Sequence, residues 1–118
     1  LQTESSGNYQ ISRAGWIGDY VDPNNFLDLF LCDGGNNRTG WCNDEYDRLI
    51  LDVAPSMTSH EERLKVFQKA ETMLLDDMPI IPIYTYTTVQ LVSSSVKNFD
   101  PNIMNAASYK DIYLQADE

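Results

Sequence analysis

The chain has 118 residues, a length that suits one domain or a piece of one. Its composition is 42% hydrophobic, which is too apolar for a disordered segment. Eighteen acidic against eight basic residues give a formal net charge of −10, which argues against nucleic acid and anionic membrane surfaces as partners. The sequence contains no run of about 18 apolar residues, so no transmembrane helix is expected.

The first predicted element is a strand over residues 9–17, where aromatic and β-branched residues favour a pleated surface. Gly15 and Gly18 leave the backbone uncovered there, so another chain or a ligand can approach closely. Because side chains alternate along a strand, one face would carry Arg13, Gly15, Ile17 and Asp19. The cation and the anion on that face could meet the two ends of a zwitterion.

A short apolar helix should follow, with Asp22 as its N-cap and Pro23 at its first helical position. Its apolar residues, expected in the core, are Phe26, Leu27, Leu29, Phe30 and Leu31. Cys32 and Cys42 then bracket a loop rich in glycine and asparagine. A disulfide across this loop and a pair of free thiols both fit the spacing, whereas two cysteines and the single His60 cannot form a zinc site alone.

The loop carries two further signals. The tripeptide Asn37-Arg38-Thr39 matches the acceptor pattern for N-glycosylation, which is too short to be specific. Trp41 can either close the loop onto the core or line the mouth of a pocket, and we expect the first.

Two amphipathic helices are predicted next. Asn43 should cap the first, and Pro55 should end it. A capping box from Thr58 to Glu61 should start the second, which runs to about Asp77. The expected core positions are Tyr46, Leu49, Ile50 and Val53 in the first helix and Leu64, Phe67, Ala70 and Leu74 in the second.

The longest β-type run covers residues 80–92, and a last short strand is expected over residues 109–114. A single strand of that length exceeds the usual five or six residues, and such a strand often passes between two lobes. Pro82 restricts the start of the run to a sheet edge or to the first residues of the strand.

Signals for catalysis are weak. Asp19 and Asp22 could form a carboxylate pair, but Asp22 is better used as a helix cap. The sequence contains no nucleophile elbow, no phosphate loop and no paired-histidine motif. We therefore expect a protein that is not an enzyme and that uses neither a metal nor a cofactor.

Residues 13–27 resemble a signature of the oligopeptide-binding proteins of ABC transporters, and they read Arg-Ala-Gly-Trp-Ile-Gly-Asp-Tyr-Val-Asp-Pro-Asn-Asn-Phe-Leu. Later segments are similar to that family in their order: Gly40-Trp41, Asn43-x-Glu45-Tyr46-Asp47, Arg63, Gln68-Lys69-Ala70-Glu71 and Pro79-Ile80-Ile81-Pro82-Ile83-Tyr84. The likeness covers nearly the whole chain. Each piece is weak alone, but their order and spacing are specific.

The resemblance implies a type II periplasmic binding fold with two lobes, of which this chain would be the C-terminal portion. The expected class is α+β, with a mixed sheet and three to four helices. Residues 1–88 would belong to the C-terminal lobe, and residues 89–118 would form a crossover strand and a tail that return toward the first lobe. A start at Leu1, without a methionine or a signal peptide, fits a portion of a mature protein.

The resemblance also implies roles in holding an extended peptide by strand addition. The implied peptide-binding residues are Arg13, Gly15, Trp16, Ile17, Asp19 and Tyr20. Asp19 would pair with the α-amino group of the peptide, and Gly15 and Ile17 would bond its main chain. Arg13 would meet the carboxylate of short peptides, and Trp16 would form a wall of a side-chain pocket. Plainer roles stay open, namely a salt bridge for Arg13, a turn cap for Asp19 and a core position for Trp16.

The sequence thus predicts the extracytoplasmic solute-binding component of an ABC importer, either periplasmic or a cell-surface lipoprotein whose anchor lies outside this segment. Its partners would be short peptides and the permease subunits of the transporter. Two alternatives remain. One is a small interaction domain with an exposed edge strand, and the other is a binder of sugars or other solutes, in which Trp16 and Trp41 would stack on the ligand.

Overall fold

The computed structural model describes residues 2–102, 104 and 106–116, and it combines short helices with a small sheet. The helical segments are α1 (Gln2–Ser5), α2 (Asn24–Leu27), a 3-10 turn (Asp28–Phe30), α3 (Asp44–Arg48), a π-helical turn (Leu49–Val53), α4 (Ala54–Ser56) and α5 (His60–Asp77). The strands are β1 (Val96–Lys97) and β2 (Tyr113–Leu114), which pair antiparallel with Val96 opposite Leu114. None of the described helices combines the length and the apolar character that a bilayer span requires.

Tyr46 lies in a small core formed by α2, α3, the π-helical turn and α5. The hydrophobic residues buried in the described part of the chain are Leu27, Tyr46, Leu49, Ile50, Ala54, Phe67, Ala70 and Leu74. The Tyr46 hydroxyl donates to the carbonyl oxygen of Leu27 at 2.6 Å, which ties α2 to the core. Burial raises the pKa of Tyr46 above its ordinary value. Trp41 packs edge-on against Tyr46 with ring centroids 4.9 Å apart, so the predicted closure of the loop onto the core is confirmed.

Polar caps set the starts of α3 and α5. The Asn43 side chain accepts from two backbone N–H groups, each at 3.1 Å, which confirms the predicted cap of α3. α5 begins later than predicted, because the hydroxyl of Ser59, not that of Thr58, accepts from the N–H of Glu62 at 3.4 Å. Both residues fit the capping-box pattern, since a glutamate follows each of them three positions later. α2 also begins one residue later than predicted, with Pro23 at the cap position.

Pro55 does not end the helix that starts after Asn43, although the sequence predicted that it would. The chain widens into the π-helical turn Leu49–Val53 and then continues through α4, which contains Pro55. Proline has no N–H to bond the carbonyl four positions earlier, so the backbone before it relaxes into the wider turn. The helix ends after Ser56, where the backbone of Met57 is extended.

One face of α5 packs against the core. Phe67, Ala70 and Leu74 are buried as predicted, and Val66 and Met73 pack against the core beside them. The prediction for Leu64 is wrong, since this side chain is 39% exposed. It borders a groove of about 620 Å³ between α2 and α5. Because α2 has only 4 residues, it is too short to cover the first turns of α5.

The strands predicted over residues 9–17 and 80–92 do not form within the described chain, and the predicted mixed sheet is absent from it. Both runs are largely exposed, up to 94% at Ile11 and 100% at Leu91. A strand needs a hydrogen-bonded neighbour, and these runs meet through side chains instead: Tyr86 lies 3.6 Å from where a Cβ of Gly15 would be. The last predicted strand is shorter than expected and pairs only over Tyr113–Leu114 in the described residues.

The described chain is long and thin, with extents of 63 × 40 × 22 Å and a radius of gyration of 19.3 Å. A compact domain of about 100 residues has a radius of gyration of about 13 Å. Apart from Ile80, which packs against the core, the two exposed runs add length without joining it. Their backbone and side chains are therefore accessible to a ligand or to another stretch of polypeptide.

Candidate functional site

The predicted site residues lie on the run of residues 13–20, which we call the candidate segment. All of its residues except the partly buried Gly18 are exposed. Among the described residues, no backbone–backbone hydrogen bond involves residues 13–19, and the next one joins the Asp22 N–H to the Tyr20 carbonyl at 3.1 Å. The backbone beside Gly15 therefore has donors and acceptors that can bond an incoming strand.

Arg13 joins the candidate segment to the distant run of residues 80–92. Its guanidinium donates from Nη2 to the Tyr86 hydroxyl, and the Tyr86 ring meets the Tyr84 ring edge-on at 4.7 Å. The hydrogen bond between the two tyrosines raises the pKa of Tyr84. The ion pairs of the described residues do not include Arg13, so the alternative role in a salt bridge is not observed there. Its positive charge is available to an anionic group.

Trp16 is fixed along one edge and open elsewhere. Its indole Nε1 donates to Oδ1 of Asn25 on α2 at 2.7 Å. Trp16 is 37% exposed, so it is not a core residue, whereas Asn25 is only 2% exposed. The ring of Phe26 lies 3.3 Å from where a Cβ of Gly18 would be, which leaves little space for a side chain there. The indole thus presents part of its surface beside the open backbone.

Asp19 is exposed, and its negative charge acts on a second carboxylate, that of Asp28. We call the surface around these two carboxylates the corner. Burial raises the pKa of Asp28, and the negative charge of Asp19 raises it further. The Asn24 amide donates to the Tyr20 hydroxyl at 3.3 Å and to Oδ2 of Asp28 at 3.4 Å, so Tyr20 is held beside this corner. Because the two carboxylates are neighbours, their combined negative potential favours the binding of a cation on their solvent-facing side.

Asp22 is engaged in the fold. Its carboxylate accepts from Arg63 of α5 through both oxygens, at 2.5 and 3.0 Å, and from the Asn24 N–H at 2.9 Å. The Arg63 guanidinium lies 4.5 Å from the centroid of the Phe67 ring. The hydrogen bonds from Arg63 lower the pKa of Asp22. Asp22 thus anchors the start of α2 to α5 and is not free to form a catalytic pair with Asp19.

The Asp22–Arg63 pair should make stability depend on pH. Because the folded-state pKa of Asp22 is lowered, the stability it contributes is present above its unfolded pKa of about 3.9 and is lost as pH falls through the lower folded value. The side chains are 26% and 27% exposed, so we expect Asp22→Asn to cost about 1–2 kcal/mol at neutral pH and progressively less as the pH falls below about 3.9. Thermal unfolding of the variant and of the unmodified protein across this range measures the difference.

The matched control for Asp22→Asn is Glu61→Gln. It removes an ion pair with Lys65 in which the side chains are 78% and 67% exposed. Such a pair contributes little, so the control should follow the unmodified protein at every pH. A destabilisation by Asp22→Asn that stays constant from neutral to acid pH would contradict the prediction.

The loop between the cysteines is held internally. Cys32 and Cys42 form a disulfide with a Cα–Cα distance of 4.5 Å. The Asn37 amide donates to three backbone carbonyl oxygens at 2.9 to 3.2 Å, so its nitrogen is engaged in the fold rather than open to glycosylation. The carboxylate of Asp44 lies within 4.8 Å of the two sulfurs, but sulfurs bonded to each other are not thiolate ligands for a metal.

Three residues beside the candidate segment were missed from the sequence: Asn25, Asp28 and Tyr86. Tyr86 contacts Arg13 from 73 residues away, and no local pattern connects them. Asn25 and Asp28 follow Pro23, where polar residues are typical of a helix start and carry no specific signal. The two carboxylates of the corner could have been found only by placing the start of α2 against the end of the candidate segment.

No protein-family model matches the chain. The oligopeptide-binding protein OppA of Bacillus subtilis is 44% identical over 93 residues, which are 78% of this chain and 17% of that protein. The periplasmic oligopeptide-binding protein OppA of Salmonella typhimurium is 33% identical over 117 residues, 97% of this chain and 21% of that protein. The structure of Listeria monocytogenes OppA bound to peptide superposes with a TM-score of 0.75 at 35% identity, covering 98% of this chain and 21% of that one. The chain thus spans about a fifth of the length of these relatives.

Proposed function

The chain belongs to the family of oligopeptide- and dipeptide-binding proteins over the part of them that it spans, and we propose that it forms one edge of the ligand cleft in an extracytoplasmic peptide-binding protein of an ABC importer. The names of the relatives support this, since that of the Salmonella typhimurium protein includes the word periplasmic, and a structural neighbour holds a peptide. The opposing wall of the cleft and the contacts with permease subunits would lie in the rest of the longer protein.

In this proposal the chain is part of a two-lobed type II periplasmic binding fold. Residues 1–88 would form part of the C-terminal lobe, and residues 89–118 a crossover strand and tail. The exposed runs of residues 9–17 and 80–92 would become strands of a mixed sheet by pairing with other parts of the longer protein. Their contact through Arg13 and Tyr86 supports this, because it already holds the two runs side by side.

The observation that carries the proposal is the open backbone beside Gly15, with the cation of Arg13 at one end and the carboxylate of Asp19 at the other. An extended peptide can add to such an edge through main-chain hydrogen bonds, which do not depend on its side chains. The charges at the two ends then select for free termini, because charge-assisted hydrogen bonds are stronger than neutral ones.

The six predicted peptide-binding residues of the candidate segment would each make a different contact with the peptide. Asp19 would bind the α-amino group, and the nearby carboxylate of Asp28 would add to the negative potential there. Gly15 and Ile17 would bond the main chain of the peptide. Arg13 would meet the carboxylate of a short peptide. The side-chain contacts would come from Trp16 and Tyr20.

Titration of the longer protein that contains this chain tests the proposal. Calorimetry should show binding of trialanine, a marked loss on N-acetylation, a smaller loss on C-terminal amidation and no binding of a trisaccharide. This order of affinities is expected if the protein binds the main chain and the two charged termini of the peptide. Binding of the sugar without the peptides would instead support the sugar-binding alternative, which the structure disfavours, since Trp41 packs on Tyr46 and donates from Nε1 to Asp77 at 2.9 Å.

A further inference from the structure

We propose that Asn25 is a positioning residue that holds the indole of Trp16 in one orientation beside the candidate segment, so that Trp16 selects among ligand side chains. This inference rests on the proposed function and extends it to side-chain selectivity. Its basis is the 2.7 Å hydrogen bond from the Trp16 Nε1 to the Asn25 Oδ1. The indole N–H can only donate, so the carbonyl side of the amide must face it.

Asn25 is rigidly mounted. Its side chain is 2% exposed, and its backbone N–H donates to the carbonyl of Asp22 at 3.1 Å. Asp22 is in turn bonded to Arg63 of α5 through both carboxylate oxygens. The amide that receives the indole is therefore fixed relative to the longest helix of the described chain. A hydrogen bond from Trp16 to this amide transfers that rigidity to an exposed segment that has no sheet of its own.

The second half of the Asn25 amide shows that packing alone does not account for this residue. With Oδ1 turned toward Trp16, the Nδ2 atom is buried and has no hydrogen-bond partner among the described residues. A buried donor without a partner is unfavourable, and a leucine of similar size would avoid it. The contribution specific to asparagine at this position is its bond to the indole.

The orientation of Trp16 matters because 37% of its surface is exposed. An exposed indole without a partner would sample several rotamers, and a ligand would have to fix one of them on binding. A held indole is a preformed wall. Such a wall favours side chains that fit its fixed face, while backbone capture beside Gly15 continues to treat all side chains alike.

The test uses Asn25→Leu in the longer protein, with four peptides: trialanine and its three variants with one phenylalanine. The unmodified protein should prefer phenylalanine at one position. In Asn25→Leu that preference should fall about fivefold, the effect of one hydrogen bond, while the affinity for trialanine stays within about twofold. Equal loss for all four peptides, or an unchanged preference, would overturn the inference.

A measurement without ligand separates this inference from the proposed function. In NMR, the indole N–H of Trp16, assigned through Trp16→Phe, should exchange with water about fivefold faster in Asn25→Leu than in the unmodified protein. Equal exchange rates overturn the inference whether or not peptides bind. Failure of the unmodified protein to bind any peptide overturns the proposed function and the selectivity that rests on it, while faster exchange in Asn25→Leu would still show that Asn25 holds the indole.

Trp16→Phe is also the second variant, since it removes the same hydrogen bond from the other side and leaves Asn25 in place. In the Trp16→Phe background, Asn25→Leu should change the phenylalanine preference no further. An undiminished effect of Asn25→Leu in that background would show that Asn25 acts through general packing. If Asn25→Leu does not fold, loss of the preference in Trp16→Phe alone is the expected result, and its retention refutes the inference.

Discussion

Replacing Asp19 with alanine should weaken the binding of a short peptide by about 2–5 kcal/mol, roughly thirty- to several-thousand-fold in the dissociation constant. The bound ammonium would lose its charged partner inside a cleft, where water cannot fully replace it. Asp28 would remain nearby, but it is linked to Asn24 and partly buried, so it cannot take over the contact. Isothermal titration of the longer protein with trialanine measures the change.

The matched control is Asp33→Ala, which removes the same charge from an exposed position in the disulfide-closed loop. It should leave peptide affinity unchanged, because the potential of one exposed charge is screened within about 8 Å in physiological salt. N-acetylated trialanine gives a second check, since it should bind Asp19→Ala about as weakly as it binds the unmodified protein. Unchanged affinity of trialanine for Asp19→Ala would reject the assignment of Asp19 to the peptide amino group.

The helices could be predicted from the sequence because their signals are local. Asn43 stands where a cap is needed and is followed by apolar residues at helical spacing, so α3 begins as expected. The errors are one-residue choices between equivalent caps, as with Ser59 and Thr58, an effect of a neighbour's length, as with Leu64, and the continuation of the helix through Pro55. Each of these outcomes depends on contacts in the folded chain, and the sequence alone could not decide between the alternatives.

The strands could not be predicted in the same way, because a strand exists only with a partner. Residues 80–92 have strong β composition, yet in the described chain no sheet forms there. The same limit applies to the site. The candidate segment is continuous in sequence and could be predicted from it directly. Tyr86, in contrast, contacts this segment from 73 residues away, and Asn25 contacts it from a helix whose sequence carries no functional signal.

Tyr46→Ala should have the largest effect on stability, a loss of about 3–5 kcal/mol. Tyr46 is 0% exposed and its ring meets Trp41 edge-on, so truncation opens a cavity where α3 meets α5. The carbonyl of Leu27 would also lose the hydroxyl that now bonds it at 2.6 Å. Because that bond ties α2 to the core, the loss should extend to the start of α2 and to Asn25, which holds Trp16. Denaturant unfolding of the protein that contains this chain measures the loss.

Two matched variants separate the causes. Tyr46→Phe keeps the ring and removes only the hydroxyl, so it should cost about 1–2 kcal/mol for a buried carbonyl left without its partner. Tyr113→Ala truncates a tyrosine that is 51% exposed and should change stability by no more than about 0.5 kcal/mol. If Tyr46→Ala costs no more than Tyr113→Ala, the core described around Tyr46 does not hold the helices together. If Tyr46→Phe costs as much as Tyr46→Ala, the hydroxyl bond to α2, rather than ring packing, is the dominant contribution.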